Sequence, residues 1–353
     1  MSAASDTSGK TDGRRRSAVM TDVAKLAGVS HQTVSRVING SPQVRPATRE
    51  RVLLAMQELD YRPNSAARAL VTGRSRTLGV VSFDTTLYGP ASTLYAIERA
   101  AHEAGYFITI VSLEALDRAS VLSAVERLRM QGVDGILVIA PLEGADEAVV
   151  DLPSDVPLVA VEAGPADALP VVAVDQRAGA TLATQHLLEL GHPTVAHIAG
   201  PADFVEAGQR IDGWRSTLEA AGADVLPVLV GDWSPRSGYE LGRRLLREHR
   251  VSAIFVANDQ MALGVLRALH EADYEIPRQI SVVGFDDIPE AQYYTPPLTT
   301  VRQDFGEIGR RSLRLMLAMM ESDGQAPPSP PLVAPELILR SSTAPRRLTA
   351  PRP

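Results

Sequence analysis

The side chains with most to offer chemically fall into two groups. Near the amino end, Gln32 and Arg36 lie four residues apart with His31 and Ser35 nearby, while Val34, Val37 and Ile38 form an apolar stripe. On a helix that spacing brings the two polar forks together on a face away from the stripe. Arginine can donate two bonds to guanine, and glutamine can match adenine's donor and acceptor, in the major groove. Farther along, Glu162, Asp175, Asn258 and Asp286 each follow a short apolar run, and Trp233 follows another. Carboxylates and amides at strand ends suit sugar hydroxyls, which need paired donors and acceptors. An indole face suits a pyranose. Each of these Asp and Asn residues could equally cap the next helix, and Trp233 could simply fill a core.

Catalytic patterns are missing from the sequence. Neither GxSxG nor the phosphate-cradling GxxxxGK[ST] occurs. Asp286 and Asp287 adjoin, but neighbours on a strand face opposite ways and make no carboxylate pair. His186, His192 and His197 lack the i,i+4 spacing that would bring two imidazoles to one metal. With no cysteine, disulfides, thiol catalysis and thiolate metal sites are excluded. The expectation is a protein that is no enzyme and uses neither cofactor nor metal.

Positioning these residues takes more than one domain, and 353 residues suit two or three. The net charge of −7 conceals a division: residues 1–76 carry +7 and the rest −14. A basic head on an acidic body implies that one segment meets phosphate and the other does not. Arg14-Arg15-Arg16 is followed by polar sequence rather than an apolar stretch, and no run of eighteen apolar residues occurs. No membrane span or secretion segment is expected, and the chain is read as cytoplasmic.

In the head, Thr21 or Asp22 is placed to cap a helix carrying Val23, Leu26 and Ala27 on its apolar side. Gly28 ends it, Ser30 caps the helix that bears Gln32 and Arg36, and Asn39-Gly40 stops that one. A third helix starts near Pro46 with Val52, Ala55, Met56 and Leu59 as its stripe. Helix, glycine turn and short polar-faced helix make a helix-turn-helix, although a plain small bundle would share the spacing. Beyond Arg76, apolar runs alternate with amphipathic stretches. Strands are expected at 78–83, 107–113, 135–140, 158–161 and 171–174, then at 195–199, 225–230, 253–257 and 280–285. Helices are expected at 92–104, 120–131, 179–190, 207–221, 238–248 and 261–272. Strand–helix alternation with continuous Val/Ile runs implies parallel sheets buried on both faces.

Thr21-Asp22-Val23-Ala24, Ala27-Gly28-Val29-Ser30, Thr33-Val34-Ser35-Arg36-Val37-Ile38-Asn39 and Tyr61-Arg62-Pro63-Asn64 resemble the DNA-binding head of the lactose/galactose repressor family. Gly231-Asp232-Trp233-Ser234, Val256–Gly264 and Pro296-Pro297-Leu298-Thr299-Thr300 extend the resemblance through the body to about Ser341. It implies an all-α helix-turn-helix head on a two-lobed, periplasmic-binding-protein-like α/β body with parallel sheets. The implied divisions are a disordered arm (1–18), the head (19–63), a hinge helix and linker (64–76), the body (77–341) and a disordered tail (342–353). Within the body, lobe 1 takes about 77–174 and 305–332, and lobe 2 about 175–304 and 333–341.

Carried over residue by residue, the resemblance places Thr21, Ser30, His31, Gln32, Thr33, Ser35, Arg36 and Asn39 on double-stranded operator DNA, with Asn64, Ala67 and Leu70 in the hinge. His31 stands where a tyrosine reads bases in the nearest family pattern, so the operator need not be shared. Leu70 matches the leucine wedged into a minor-groove step, a device that kinks DNA. A hinge helix this short is unstable alone. Leu87, Gly89, Pro90, Glu162, Trp233, Asn258, Asp286, Gln303 and Phe305 fall where the family contacts a small carbohydrate effector between the lobes. Glu162 is one methylene longer than the family's aspartate. Gly208 is read as occupying the place of a sugar-gripping arginine, with Arg210 expected to pack elsewhere and Asp203, Glu206 or Gln209 as substitutes. The tail, rich in Ser, Pro and Arg, cannot form a leucine heptad, so a homodimer is expected. The function implied is repression of carbohydrate-utilisation genes. The alternative is a sugar-binding receptor without a DNA role.

Overall fold

A computed structural model describes residues 18–62, 73–113, 118–139, 156–163, 169–322 and 328–346. They belong to two compact units that divide between Ser75 and Arg76. Most of the expected arm and all of the expected hinge helix, with Asn64, Ala67 and Leu70, lie outside the described residues. No helix among the described residues is long and apolar enough to cross a membrane.

The described residues of the head form three helices: α1 (Met20–Ala27), α2 (His31–Ile38) and α3 (Pro46–Glu58). They enclose a small core of Val23, Ala24, Ala27, Val34, Val37, Val52 and Ala55. Gly28 ends α1 in the left-handed conformation, φ 65°, that glycine adopts without strain. Neither Thr21 nor Asp22 is the N-cap of α1. That residue is Val19, and Asp22 reaches back from the third helical position to accept its N–H at 3.0 Å. The carboxylate therefore still satisfies a free backbone donor, one turn later than expected. Leu26 is also half exposed rather than buried.

The body holds two sheets. In the first, β1 (Thr77–Phe83), β2 (Phe107–Leu113), β3 (Gly135–Ile139), β4 (Leu158–Val161) and β5 (Val171–Val172) run parallel in the order β2-β1-β3-β4-β5. The second contains β6 (Ala196–Ala199), β7 (Leu229–Val230), β8 (Ala253–Val256), β9 (Ser281–Asp286), β10 (Thr299–Arg302) and β11 (Glu336–Ile338). Its order is β11-β10-β9-β8-β6-β7, parallel except for the antiparallel β10–β11 pair. The wholly buried strands β3, β4 and β8 read as continuous apolar runs, while β6 and β9 are as fully buried although they carry His197, Ser281 and Asp286. β10 and β11 were not expected. Thr299 and Thr300 are fully buried, and their polarity hides the first; β11 is a three-residue edge.

Among the described residues seven helices flank the sheets: α4 (Tyr88–Glu103), α5 (Arg118–Met130), α6 (Gln176–Glu189), α7 (Val205–Ala220), α8 (Pro235–Glu248), α9 (Asp259–Glu271) and α10 (Phe305–Glu321). Several start before the apolar periodicity does, because their first turns are polar or contain proline. Asp175, Ser234, Asn258 and Asp304 cap α6, α8, α9 and α10.

The chain passes between the sheets repeatedly. Val174, just beyond β5, bridges to Val333, and α6 then joins the second sheet. After β10 the chain returns with α10, whose Ile308, Leu313, Leu315 and Met316 pack against Leu78, Val80 and Ile97 of lobe 1. It then crosses back to form β11. Ser342 to Arg346, expected in a disordered tail, instead continue along lobe 2. Ser342 Oγ donates to Val282 O at 2.6 Å and accepts from Thr299 N–H at 2.7 Å, while Arg346 N–H donates to Leu190 O at 2.8 Å. Backbone groups at the sheet edge need partners, and this segment supplies them whatever its composition.

Glycine permits the close crossing of α8 and α9. A Cβ on Gly264 would collide with backbone atoms of Pro235, Tyr239 and Gly238, and one on Gly238 with the backbone at Met261. Backbone on both sides leaves nothing to swing aside. Gly264→Ala should therefore destabilise the body by about 1–3 kcal/mol, overriding a helix-propensity gain of roughly 1 kcal/mol. Urea unfolding followed by tryptophan fluorescence measures this, since both tryptophans, Trp214 and Trp233, lie in the body.

Candidate functional site

In the head, the α2 residues expected to read bases share a surface. His31, Gln32 and Arg36 are exposed, with Thr33 and Ser35 partly so beside them. Val34 and Val37 point inward and fix which face is left outside. Ser30 caps the helix, accepting the Thr33 N–H at 3.2 Å and pairing with the Thr33 hydroxyl at 2.9 Å. Thr21 and Asn39 are exposed as well, and Asn39 Nδ2 donates to Ser35 Oγ at 3.4 Å. Arg49 of α3 donates to Ser41 O at 2.7 Å, tying the loop after α2 to the bundle.

In the body, a cleft of about 530 Å³, its mouth included, opens where the carboxyl ends of the parallel strands of both sheets face one another. Ligands bind at this location in open α/β sheets generally. Leu87, Gly89, Pro90, Glu162, Trp233, Asn258, Asp286, Gln303 and Phe305 all line it, so every expected effector position described lies on one surface. Tyr88, Ile139, Gln176, Phe204, Glu206, Arg210 and Gln260 line it too and were not on that roster. Tyr88 stands edge-on to Phe305, and Phe204 edge-on to Trp233, with ring centroids 5.9 and 5.6 Å apart.

Arg210 overturns an expectation. It lines the cleft, and Gly208 does not. Residues 206 and 210 stand one turn apart on α7 and share a face, whereas 208 points away from it. That i,i+4 relation was the available signal in the sequence. Of the substitutes considered, Glu206 lines the cleft and Asp203 and Gln209 do not. The Arg210 guanidinium is buried over the Phe285 ring, 3.8 Å from its centroid. Its Nε donates to Gln176 Oε1 at 2.9 Å, its Nη1 to Ala257 O at 2.5 Å, and its Nη2 lies 3.7 Å from Asp286 Oδ1. Gln176 Nε2 donates to Gln303 Oε1, and Gln303 Nε2 to Asp286 Oδ1, each at 2.7 Å. The four side chains form a closed ring.

Other polar groups divide between structure and cleft. Asn258 is largely engaged: its Oδ1 accepts the Met261 N–H at 2.8 Å, and its Nδ2 donates to Trp233 O at 3.1 Å. Asp175 caps α6 by accepting the Ala178 N–H at 2.8 Å and does not line the cleft. The indole of Trp233 covers Gly200, where a side chain would collide with it, so much of its face serves packing. His192 sits between the hydroxyls of Ser252 and Ser281, and His197 stacks on Phe255. By contrast, Glu162 Oε1, Glu206 Oε2 and Trp233 Nε1 are buried and have no hydrogen-bond partner. Glu162, Trp233 and Asp286 also hold left-handed backbone, with φ of 55°, 69° and 103°. Such strain on residues with a Cβ concentrates at functional sites.

Burial dominates the electrostatics. It pushes Glu206 up to about 8, Glu162 to about 7 and Asp286 to about 6, each restrained by the positive charge of Arg210. Burial also lowers Arg210's hold on its proton, an effect that Asp286 and Glu206 oppose. Each carboxyl binds its proton more tightly folded than unfolded. Its stabilising contribution is complete below the ordinary carboxylate range and is lost as pH rises through the folded value. The body should therefore melt progressively lower as pH is raised from about 5 to about 9. Glu206→Gln should flatten the alkaline end of that slope. Tryptophan-detected melts across pH test it; a slope unchanged in the variant would contradict the assignment.

The comparisons with known proteins fit this geometry. The family profile "Bacterial regulatory proteins, lacI family" matches residues 19–64, and "Periplasmic binding protein-like domain" matches residues 184–343. The lactose operon repressor of Escherichia coli K12 is 36% identical over 332 residues, spanning 93% of this chain and 92% of that protein. The lac repressor dimer bound to operator and the anti-inducer ONPF superposes with a TM-score of 0.82 at 34% identity, covering 93% of this chain and 100% of that one. The transcriptional regulator CelR–cellobiose complex gives 0.67 at 33% identity, covering 92% and 99%. An exposed helix-turn-helix face, a two-lobed body and these likenesses along nearly the whole chain lead to one conclusion: the protein belongs to the LacI family of bacterial regulatory proteins and is a DNA-binding transcriptional repressor, not an enzyme.

Proposed function

We propose that this repressor binds a near-palindromic operator as a homodimer in the cytoplasm, and that a small sugar lodged between its lobes sets the strength of that binding. The observation that carries the reading is the set of three buried, partnerless polar atoms lining the cleft: Glu162 Oε1, Glu206 Oε2 and Trp233 Nε1. Leaving such a group unsatisfied costs about 1–3 kcal/mol. Their convergence on one cleft beside aromatic rings fits a ligand rich in hydroxyls. A relative named the lactose operon repressor and a structural neighbour solved as a complex with cellobiose support a carbohydrate, and carbohydrate-utilisation genes are the natural targets.

One head offers a single reading helix and little selectivity. Two heads held by a symmetric body read two half-sites, which is why such operators are near-palindromes. We propose that Asn64, Ala67 and Leu70, which lie outside the described residues, contact the minor groove. The sugar shifts the balance by the difference between its affinities for the two lobe arrangements, typically ~1–3 kcal/mol per site.

Gel shifts on promoter fragments from the native genome, titrated with mono- and disaccharides, test the whole reading. A discrete complex whose midpoint moves with one sugar is expected; indifference to every fragment, with and without sugars, overturns it. Arg36→Ala should weaken the cognate complex by about 1–3 kcal/mol and largely spare scrambled DNA. Equal losses on both would remove Arg36 from base reading.

A further inference from the structure

The cleft holds three carboxyl groups around one guanidinium, and they are not equally served. Arg210 commits its donors to Gln176, Ala257 O and the Asp286 side. Glu206, a turn away on the same helix, keeps Oε2 buried without a partner. Glu162, only 8% exposed, receives one backbone N–H, from Val174 at 3.4 Å on Oε2, and leaves Oε1 unpaired. Behind them, Asp259 is occupied by Thr300 Oγ1 and Ile288 N–H. No second basic side chain lines the cleft among the described residues.

We infer that the ligand is an amino sugar, a polyol whose single ammonium group docks on Glu206 and Glu162 while its hydroxyls meet the remaining polar atoms. This rests on the sugar reading above and narrows it. A neutral hydroxyl can bond to either acid but leaves the excess of carboxyl over guanidinium untouched. An ammonium carries three donors and no acceptor, so it suits two unpaired carboxyl oxygens and neutralises the carboxylate formed when one of these acids loses its proton. Burial raises Glu206 to about 8, so it is mostly protonated near neutrality, and Glu162 to about 7, where it is about half protonated. Docking then proceeds with one proton leaving: the Glu206 carboxyl gives its proton to solvent, and the resulting carboxylate pairs with the ligand's intact ammonium.

The test is isothermal titration of the full-length protein near neutral pH. Glucosamine, galactosamine and mannosamine are each compared with the parent hexose and the neutral N-acetyl derivative, and the chitosan dimer with cellobiose. Two buffers of different ionisation enthalpy count the protons. At least one amine should bind about tenfold or more tightly than both neutral counterparts, the scale of one charge-assisted bond, and should release close to one proton. Glu206→Gln, nearly isosteric and checked for folding by its tryptophan melt, should erase the preference, and Glu162→Gln should reduce it. Neutral sugars binding as well as or better than every amine, or amine binding without proton release, overturns the inference and leaves the sugar reading standing. If no sugar of either kind binds, both fall.

Discussion

The buried guanidinium of Arg210 is the constraint around which the body is arranged. Removing such a charge from water costs several kcal/mol unless hydrogen bonds and an opposite charge compensate it. Here compensation comes from Gln176, Gln303, Asp286, a backbone carbonyl and an aromatic face. Gln176 opens α6 just after the chain leaves the first sheet, and Gln303 follows β10 just before it returns. The two glutamines thus sit on crossings between lobes, while Arg210 and Asp286 belong to the second lobe. Satisfying one buried charge fixes both the floor of the cleft and the segments about which the lobes would turn. A connected buried network favours discrete arrangements over gradual deformation.

The left-handed backbone at Glu162, Trp233 and Asp286 extends the same logic to the strand ends. Each residue directly follows an apolar strand or lies within a few residues of one, where the chain must leave the sheet and keep a side chain over the cleft. Aspartate tolerates this conformation better than glutamate or tryptophan do. The structure holds the latter two there because their surroundings are rigid: Val172 O accepts the Glu162 N–H at 2.9 Å, and the Trp233 ring lies over Gly200.

Much of this was legible in the sequence. Continuous Val/Ile runs gave the buried parallel strands, and strand-end positions gave Glu162, Trp233, Asn258 and Asp286, whereas Leu87, Gly89, Pro90, Gln303 and Phe305 came only from the family resemblance. Boundaries were less legible, since first helical turns are polar and do not register in an apolar period. β10 escaped notice because Thr299 and Thr300 are buried yet polar, each bonded to groups distant in sequence. Arg210 was misassigned for a different reason. The turn of α7 pairs it with Glu206 and rotates Gly208 away. Asp259, beside Asn258, is wholly buried and bonded within the fold.

The order in which the chain visits the two lobes has a biosynthetic consequence. Lobe 1 lacks α10 until residue 321 exists, and lobe 2 lacks β11 and the strap through Ser342 until later still. A nascent chain emerging from the ribosome cannot finish one half and then begin the other. Both halves wait for residues beyond 320, so the body must mature as a single event once those residues have emerged, with its incomplete sheets in need of shelter until then.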